Sequence, residues 1–165
     1  MTEVKQHRSL RDAFGQFATG ITVVTALDAT GKPIGLTANS FASVSLEPPL
    51  VSWCIGKSST RFKEFSQAKF FTISVLSEEQ HELSDLFATR SWDDTVFDSI
   101  SWFEGLNNVP QIPSVSARFH CEIAQLHEGG DHLIVVGSVL NYECEPKDPL
   151  VFFKGDYRVL SKKPK

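Results

Sequence analysis

The 165-residue chain lacks several features that would assign it to a common functional class. Its three cysteines form no C-x-x-C pair and leave an odd count, which favours reduced thiols over a disulfide framework. A formal net charge of −4 argues against non-specific nucleic-acid binding, which requires a basic surface. There is no apolar run of membrane length, and the start of the chain has no apolar signal core. We therefore expect a cytoplasmic protein without nucleic-acid or membrane partners.

Several nucleotide-site and metal-site motifs are also missing. No G-x-G-x-x-G occurs, so a Rossmann site is unsupported, and no G-x-S-x-G elbow indicates a serine hydrolase. Gly56-Lys57-Ser58 resembles the end of a P-loop, but the first glycine of that motif would fall at Val51, within a strand pattern. The candidate metal ligands are His120, Cys121, His127 and His132. Their spacing fits no structural zinc pattern, so no metal site is predicted.

The composition that is present is typical of one globular domain, with a core expected over about residues 10–160. Hydrophobic residues make up 41% of the chain and charged residues 22%. There are 13 phenylalanines against 2 tyrosines and 3 tryptophans. Because phenylalanine has no polar group, these rings are expected in a core, in a subunit interface or against a planar ligand.

Helical periodicity occurs at three places. Apolar residues from Leu10 through Phe14 to Ala18 predict an amphipathic helix that ends at Gly20. Phe62 and Phe65 suggest a short helix, and Ser77-x-x-Gln80 fits a capping box that opens a third. Residues 91–114 show little periodicity and are predicted to form a long loop, whose Trp92 and Trp102 would shield a ligand or contact a partner subunit.

Most of the remaining chain has strand character. Strands are predicted at 21–27, 35–45, 50–55, 71–75, 119–123, 133–140, 149–153 and 157–160. The 71–75 strand should bury one face, because Phe71 and Ile73 alternate with Thr72 and Ser74. A hairpin turns at 128–131, and the last two strands would complete the sheet. Alternating polarity and short links favour a mainly β fold, an antiparallel β-barrel with a few helices, over a doubly wound sheet.

Residues 35–45 combine hydroxyl and amide side chains with small and apolar residues. A strand of this kind offers neutral hydrogen-bonding groups to a flat, polar, phosphate-bearing ligand, although a solvent-facing strand has the same composition. Ser58-Ser59-Thr60 forms a second hydroxyl cluster, for which a plain helix N-cap is the alternative. Gly130-Asp131-His132 lies in the predicted hairpin, where a histidine is otherwise a solvated loop residue.

Four motifs in this order resemble the short-chain flavin reductases, over about residues 14–157. They are Phe17-Ala18-Thr19-Gly20, Thr37-Ala38-Asn39-Ser40-Phe41 with Ser43-Val44-Ser45, Gly130-Asp131-His132, and Pro149-Leu150-Val151-Phe152-Phe153 leading to Gly155-Asp156-Tyr157. The resemblance implies an antiparallel, Greek-key-like flavin-binding split barrel, normally a homodimer with its flavin site near the interface. It departs from the family at residues 107–110, where Asn-Asn-Val-Pro replaces the more usual Gly-x-Pro.

The resemblance also implies the activity: transfer of hydride from NADH, or less favourably NADPH, to FMN or FAD. Reduced flavin would then reach a separate monooxygenase by diffusion. The expected flavin-binding residues are Thr37, Ala38, Asn39, Ser40, Ser43, Val44, Ser45, Cys54, Lys57, Ser58, Ser59 and Phe62. The expected nicotinamide-binding residues are Asp131, His132, Phe153, Lys154, Gly155 and Tyr157.

His132 is expected to act in catalysis by positioning the nicotinamide, since the two cofactors carry the hydride chemistry themselves. For Cys54, a small core residue is an equally good interpretation. Two other functions stay open at this point. One is a flavoprotein that retains its flavin and acts on another small molecule, and the other is a non-enzymatic flavin-binding electron-transfer module.

Overall fold

The fold was taken from a computed structural model, which describes residues 3–89 and 95–161, with residues 3–7 described by their backbone only. Trp92 lies outside the described residues. Among the described helices, none has the length and apolar character needed to cross a bilayer. The helices are α1 (Glu3–Phe14), α2 (Phe62–Gln67) and α3 (His81–Ala88), with short 3-10 helices at Val96–Asp98 and Leu106–Asn108.

The described residues form twelve strands. In chain order they are β1 (Thr19–Gly20), β2 (Thr22–Leu27), β3 (Pro33–Ala38), β4 (Ala42–Leu46), β5 (Pro49–Gly56), β6 (Phe70–Val75), β7 (Phe103–Glu104), β8 (Pro110–Gln111), β9 (Ala117–Gly129), β10 (His132–Cys144), β11 (Val151–Phe153) and β12 (Asp156–Arg158). The predicted mainly β fold is therefore confirmed.

The main sheet has seven strands in the order β3-β2-β6-β9-β10-β5-β4, and all of its pairings are antiparallel. Within the described residues, no strand pairing joins the two edge strands β3 and β4, so closure into a barrel is not confirmed. A side chain links β3 to β5 instead. The Ser40 hydroxyl, just after β3, accepts a hydrogen bond from Cys54 N at 2.9 Å and donates to Cys54 O at 3.3 Å.

The C-terminal strands do not complete the main sheet, contrary to the prediction. Strand β11 pairs with β1 on one side and with β12 on the other, which forms a separate three-stranded sheet. Two apolar clusters follow from this arrangement. One packs around Trp53 and Phe71 inside the main sheet, and the other joins Phe87 to Leu150 beside the small sheet.

The first helix is shorter than predicted. α1 ends at Phe14, the chain turns, and Gly20 lies in β1 opposite Val151 instead of ending the helix. Phe14 and Phe17 are 69% and 79% exposed, so the apolar periodicity that predicted a longer helix has no core to pack against in one chain. The backbone of 19–20 instead forms strand hydrogen bonds with β11.

Four other local predictions need correction. The hydroxyl-rich segment 35–45 forms two strands, because the chain leaves the sheet between β3 and β4. Strand β6 buries both faces, since Thr72 and Ser74 are as inaccessible as Phe71. The 91–114 segment contains short 3-10 helices and the β7–β8 ladder in its described part. Ser77 N donates to Gln80 Oε1 at 3.0 Å, but this pair does not cap α3, whose N-cap residue is Gln80 without a side-chain cap bond.

Candidate functional site

A cleft of about 610 Å³ opens at one end of the main sheet. Its walls come from five parts of the chain: β3 and the residues after it, β5, the segment before α2, the end of α3, and the β9–β10 hairpin. Seven predicted flavin-site residues line it, together with the predicted catalytic histidine: Thr37, Ala38, Asn39, Ser40, Cys54, Ser58, Ser59 and His132. Segments almost 100 residues apart in sequence thus meet in one concave surface.

Two hydroxyls of the β3 wall are bonded within the protein. Thr37 Oγ1 donates to Ser84 O in α3 at 2.6 Å, and Ser40 bridges to the Cys54 backbone. These bonds hold β3 against both α3 and β5. The exposed Asn39 and the backbone of this wall are therefore the parts best placed to meet a ligand, while Thr37 and Ser40 shape the wall.

Cys54 is half-buried in the facing wall on β5. Burial raises the pKa of its thiol above the usual value, although the hydrogen bond with Ser40 partly opposes this. The side chain is therefore a neutral thiol at neutral pH. It offers a small, weakly polar surface to the cleft, without the charge of a thiolate nucleophile.

The positive charge at the cleft comes from Arg61, which sequence reasoning missed. Arg61 lines the cleft beside Ser58, Ser59 and Thr60, and its Nη1 lies 3.4 Å from Glu64 Oε1. The predicted cation, Lys57, points elsewhere: it pairs with Glu128 and donates to Gly130 O across the base of the hairpin. The sequence did contain a signal for this cation, because Arg61 directly follows the hydroxyl residues 58–60.

The Ser59 side chain has a local role as well. Its hydroxyl accepts from Arg61 N at 3.2 Å, and its carbonyl accepts from Phe62 N at 3.1 Å. α2 has Arg61 as its N-cap residue and no side-chain cap bond, so a plain serine cap does not describe this segment. Phe62 itself packs against the apolar cluster of the main sheet.

His132 begins β10 and lies opposite Gly56 of β5. A Cβ atom built on Gly56 would lie 3.5 Å from His132 Nε2, so the imidazole covers this glycine at the edge of the cleft. His132 Nδ1 lies 2.8 Å from Asp131 Oδ1. The hydrogen bond with His132 holds the pKa of the Asp131 carboxyl below its usual value. Since an ionised carboxylate only accepts, Nδ1 carries the proton, and Nε2 of the neutral ring is an acceptor.

Three predicted flavin-site residues lie away from the cleft. Ser43, Val44 and Ser45 are in β4, the edge strand of the main sheet, with Val44 54% exposed. The Ser45 hydroxyl accepts a hydrogen bond from Glu47 N at 3.2 Å. Within one chain, this strand presents an exposed face that the cleft does not use.

A second cavity, also about 610 Å³, lies between the end of α1 and the β11–β12 turn. Lys154 and Gly155 line it, and both have positive φ, 54° and 84°, as residues of a tight turn. Asn39 lines this cavity as well as the main cleft, so the two adjoin. Phe152 rather than Phe153 faces the cavity, and the Phe153 ring lies beneath Lys154 Nζ at 5.2 Å.

Tyr157 ties the small sheet to α3. Its hydroxyl donates to Asp85 Oδ1 at 2.5 Å and lies 2.9 Å from Ser84 Oγ. Burial and the neighbouring carboxylate raise the pKa of Tyr157. Because Ser84 O also accepts from Thr37, one turn of α3 connects the β12 segment to the wall of the cleft.

Sequence reasoning also missed the wall supplied by α3 and β10. Phe87, Ala88 and Thr89 at the end of α3 line the cleft, and so does Ile134 on β10. Phe87 belongs to the third predicted helix, which no sequence pattern connected with a site. Its contribution to a site depends on how α3 crosses β3, which no local pattern reports.

The arrangement of these groups fits a flavin. The lining of the cleft includes the apolar side chains of Phe87 and Ile134, which suit a planar ring. The lining also includes the three hydroxyls of residues 58–60 and the Arg61 guanidinium, which suit a phosphate. Among the described residues, no cluster of potential metal ligands is present.

Comparisons with known proteins point in the same direction. A family model described as a flavin reductase like domain matches residues 14–161. The FMN reductase (NADH) SmoA of Agrobacterium fabrum is 48% identical over 155 residues, which cover 94% of this chain and 87% of that protein. The reductase component of a flavin-dependent trigonelline monooxygenase from Acinetobacter baylyi is 43% identical, with 95% of this chain and 50% of that protein covered.

A solved structure is similar over the whole chain. The NADH:FAD oxidoreductase SgcE6 of Streptomyces globisporus, in complex with NAD and FAD fragments, superposes with a TM-score of 0.90 at 36% identity. The match covers 100% of this chain and 99% of that one. By contrast, the chain spans about half the length of two of the curated relatives that it matches.

Proposed function

Because the chain belongs to the flavin reductase-like family, we propose that it is an NAD(P)H-dependent flavin reductase that acts on FMN or FAD. The observation that carries this proposal is the main cleft. It brings the hydroxyl-rich wall, the Arg61 guanidinium and the His132 imidazole together around a space of about 610 Å³. When both cofactors are bound, they supply the redox chemistry, a hydride passing from the reduced nicotinamide to N5 of the flavin.

The residues of the cleft bind the flavin and orient its ring. The apolar wall of Phe87 and Ile134 packs against the flavin ring, with Ala38, Asn39 and Cys54 at its edge. Arg61 neutralises the flavin phosphate, and Ser58 and Ser59 donate hydrogen bonds to it. Of the other residues proposed for flavin binding, Phe62 supports this wall from the core, and Lys57 fixes the hairpin.

His132 positions the nicotinamide at the open side of the cleft. Its neutral ring presents Nε2 as an acceptor, which suits the amide N–H of a carboxamide, and Asp131 holds the ring in that tautomer. Lys154 and Gly155 form the adjoining cavity near the dinucleotide phosphates. Phe153 and Tyr157 support this turn from behind, since Tyr157 anchors it to α3.

Reduced flavin leaves the cleft and reaches a separate flavin-dependent monooxygenase by diffusion. Relatives named as reductase components of monooxygenases support this role. The neutral hydroxyl site, with a single arginine, suits a ligand that must dissociate in each cycle. A micromolar dissociation constant, about −8 kcal/mol, is weak enough for such release.

The finer structural proposals follow from the family. We assign the chain to one domain with the split-barrel, Greek-key-like arrangement, in which Ser40 links the β3 edge of the main sheet to β5. The functional unit is a cytoplasmic homodimer. The exposed β4 face with Val44, between Ser43 and Ser45, then meets the partner subunit near its flavin.

The test is the absorbance at 340 nm of purified protein with NADH, and with FMN, FAD or neither added. Oxidation that depends on added flavin and saturates with it is the expected result, with a lower rate for NADPH. Flavin that stays bound through dialysis, with oxidation independent of added flavin, would replace the proposal with a retained-flavin enzyme. Bound flavin without any nicotinamide oxidation would indicate a non-enzymatic flavin-binding module.

A further inference from the structure

Three cavities follow one another along β3. The main cleft covers residues 35–39, and the cavity of Lys154 adjoins it at Asn39. At the other end, a third cavity of about 530 Å³ begins at Pro33 and Ile34 and shares Arg61 with the main cleft. We call it the Trp102 cavity. At about 3.3 Å per residue, Pro33 lies roughly 13 Å from Thr37 along the strand.

The Trp102 indole forms a fixed aromatic wall of this cavity. Trp102 Nε1 donates to Phe97 O at 3.1 Å, and the two rings meet edge to face with their centroids 5.7 Å apart. These contacts set the plane of the indole, while the side chain stays only partly buried. A planar base stacks on such a surface without a conformational cost for the indole.

Charged groups of both signs surround this wall. Arg61 is shared with the main cleft, and Lys32 also lines the Trp102 cavity. The position of Lys32 is set by a turn in which Asp28 Oδ1 accepts from Lys32 N at 2.9 Å. Asp98 and Glu104 are exposed at the outer rim. Phosphate is favoured next to Arg61 and Lys32, and carboxylates at the rim accept from ribose hydroxyls or an exocyclic amine.

We propose that the Trp102 cavity binds the adenosine monophosphate part of FAD, with its base on Trp102 and its phosphate between Arg61 and Lys32. The proposal rests on the flavin reductase function proposed above, and it makes FAD the preferred flavin. FMN fills the main cleft alone and makes none of these contacts.

Adenosine monophosphate is also part of NADH, so the source of this ligand chemistry has to be decided. The order of the cavities assigns it to FAD. The residues proposed for the nicotinamide nucleotide, Lys154 and Gly155, adjoin the cleft at Asn39, whereas the Trp102 cavity adjoins it at Arg61. A flavin phosphate held by Arg61 therefore continues into the Trp102 cavity.

The first experiment measures binding by flavin fluorescence, with FAD, FMN and 5′-AMP as separate ligands. We expect the protein to bind FAD at least about fivefold more tightly than FMN, which is the scale of one stacked base. Added 5′-AMP should compete with FAD and leave the KM for NADH unchanged. Equal affinities for FAD and FMN, or competition of 5′-AMP with NADH alone, would overturn the proposal.

The second experiment uses variants. Trp102→Ala and Lys32→Ala should each reduce the preference for FAD over FMN, the first to about twofold or less. Lys63→Ala is the matched control, since Lys63 is exposed in a separate cavity and should leave the preference unchanged. If Trp102→Ala fails to fold by circular dichroism, Lys32→Ala decides, and an unchanged preference there contradicts the proposal.

These results separate the two proposals. Flavin-dependent NADH oxidation with equal affinity for the two flavins contradicts the adenosine subsite and leaves the reductase function intact. Absence of flavin binding in the wild-type protein contradicts both. Preferential binding of FAD over FMN without NADH oxidation contradicts the reductase function and preserves the subsite.

Discussion

The His132 side chain shows how a single hydrogen bond determines what a residue offers to a ligand. Asp131 accepts from Nδ1 at 2.8 Å, and this bond leaves Nε2 of the neutral ring as an acceptor beside Gly56. An imidazole in this tautomer orients an amide and does not transfer a proton. We therefore expect the loss of His132 to slow the reaction without abolishing it.

His132→Ala should lower kcat/KM for NADH by about 10- to 100-fold, because a misplaced donor loses the geometry of hydride transfer. The dissociation constant for flavin should change by less than about twofold, since the flavin contacts lie elsewhere in the cleft. Stopped-flow reduction of bound flavin measures the first quantity, and fluorescence titration measures the second.

The control for this variant is His127→Ala on the same hairpin. His127 is exposed, and its Nε2 lies 2.9 Å from Gln125 Oε1, away from the cleft. Its kinetics should match those of the wild type. Wild-type turnover and KM in His132→Ala would show that this histidine does not position the nicotinamide.

His120 is a buried histidine outside the site, and it gives the fold a dependence on pH. Its Nε2 lies 3.1 Å from Asn107 Oδ1 and its Nδ1 lies 3.1 Å from Thr72 Oγ1. An amide oxygen only accepts, so the neutral ring donates from Nε2 and accepts at Nδ1, which satisfies both nitrogens. Burial lowers the pKa of His120.

The sign of the pH effect on stability follows from the lowered pKa of His120. Above the unfolded pKa of about 6.5, the ring is neutral in both states and its full contribution to stability is present. Below that pH the unfolded chain takes up the proton first, so the free energy of unfolding falls as pH falls.

Urea unfolding at pH 8 and pH 5.5 should show a smaller loss of unfolding free energy in His120→Gln than in wild type. At pH 8 the variant should be less stable by about 1–3 kcal/mol, because its buried bonds are imperfect. An equal pH dependence in the two proteins would contradict this role.

The sequence predicted His132 and missed Arg61 for a physical reason. His132 was predicted from the resemblance of Gly130-Asp131-His132 to the family motif, and it lines the cleft. Whether Lys57 or Arg61 faces the cleft depends on Glu128 and Gly130, which become neighbours only after β9 and β10 pair with β5. Side-chain direction in a loop is therefore set by distant chain segments.

At the scale of elements, the cleft depends on how closely α3 packs on β3. Gly35 of β3 lies against the Phe87 ring: a Cβ atom built there would be 2.5 Å from Phe87 Cε1. Phe87 is buried and packs edge to face on Phe97 at 5.5 Å, so it has little room to move. A side chain at position 35 would push the end of α3 away from the cleft.

Gly35→Ala should therefore destabilise the protein by about 1–3 kcal/mol through overpacking. It should also weaken flavin binding, because Phe87 and Thr89 line the cleft. Thermal unfolding and fluorescence titration measure these two effects. Gly20→Ala is the matched control, since an added Cβ there meets nothing within 4 Å, and it should stay within about 0.5 kcal/mol of wild type. Wild-type stability in Gly35→Ala would show that α3 shifts at no cost.

The regular strands were predictable because they are β-branched or alternating runs of residues bounded by turn residues. β2, β5, β6 and the β9–β10 hairpin all lie where this pattern placed them. β1 was not predictable, since two residues become a strand only through pairing with Val151 and Phe152, far along the chain. The break between β3 and β4 was likewise invisible, because Ser40 leaves the sheet to bond with the Cys54 backbone.

At the scale of the whole molecule, the single chain leaves a surface that the proposed homodimer explains. β4 is an edge strand, paired with β5 alone among the described strands. Leu46 is 95% exposed there and Val44 54% exposed, so the edge presents apolar side chains beside unpaired backbone groups. Such edges are normally covered, because they otherwise pair with other chains.

Leu46→Glu should therefore weaken the homodimer, since the new carboxylate would be buried without a partner at the interface. Light scattering coupled to gel filtration should give twice the 18.4 kDa chain mass for wild type and approach 18.4 kDa for the variant. Val159→Glu is the control, because Val159 is 66% exposed near the other sheet and should leave the dimer intact. If β4 also approaches the flavin of the partner subunit, monomeric Leu46→Glu binds flavin more weakly, while its circular dichroism stays that of the wild type. A Leu46→Glu dimer with wild-type flavin affinity would place the interface on another surface.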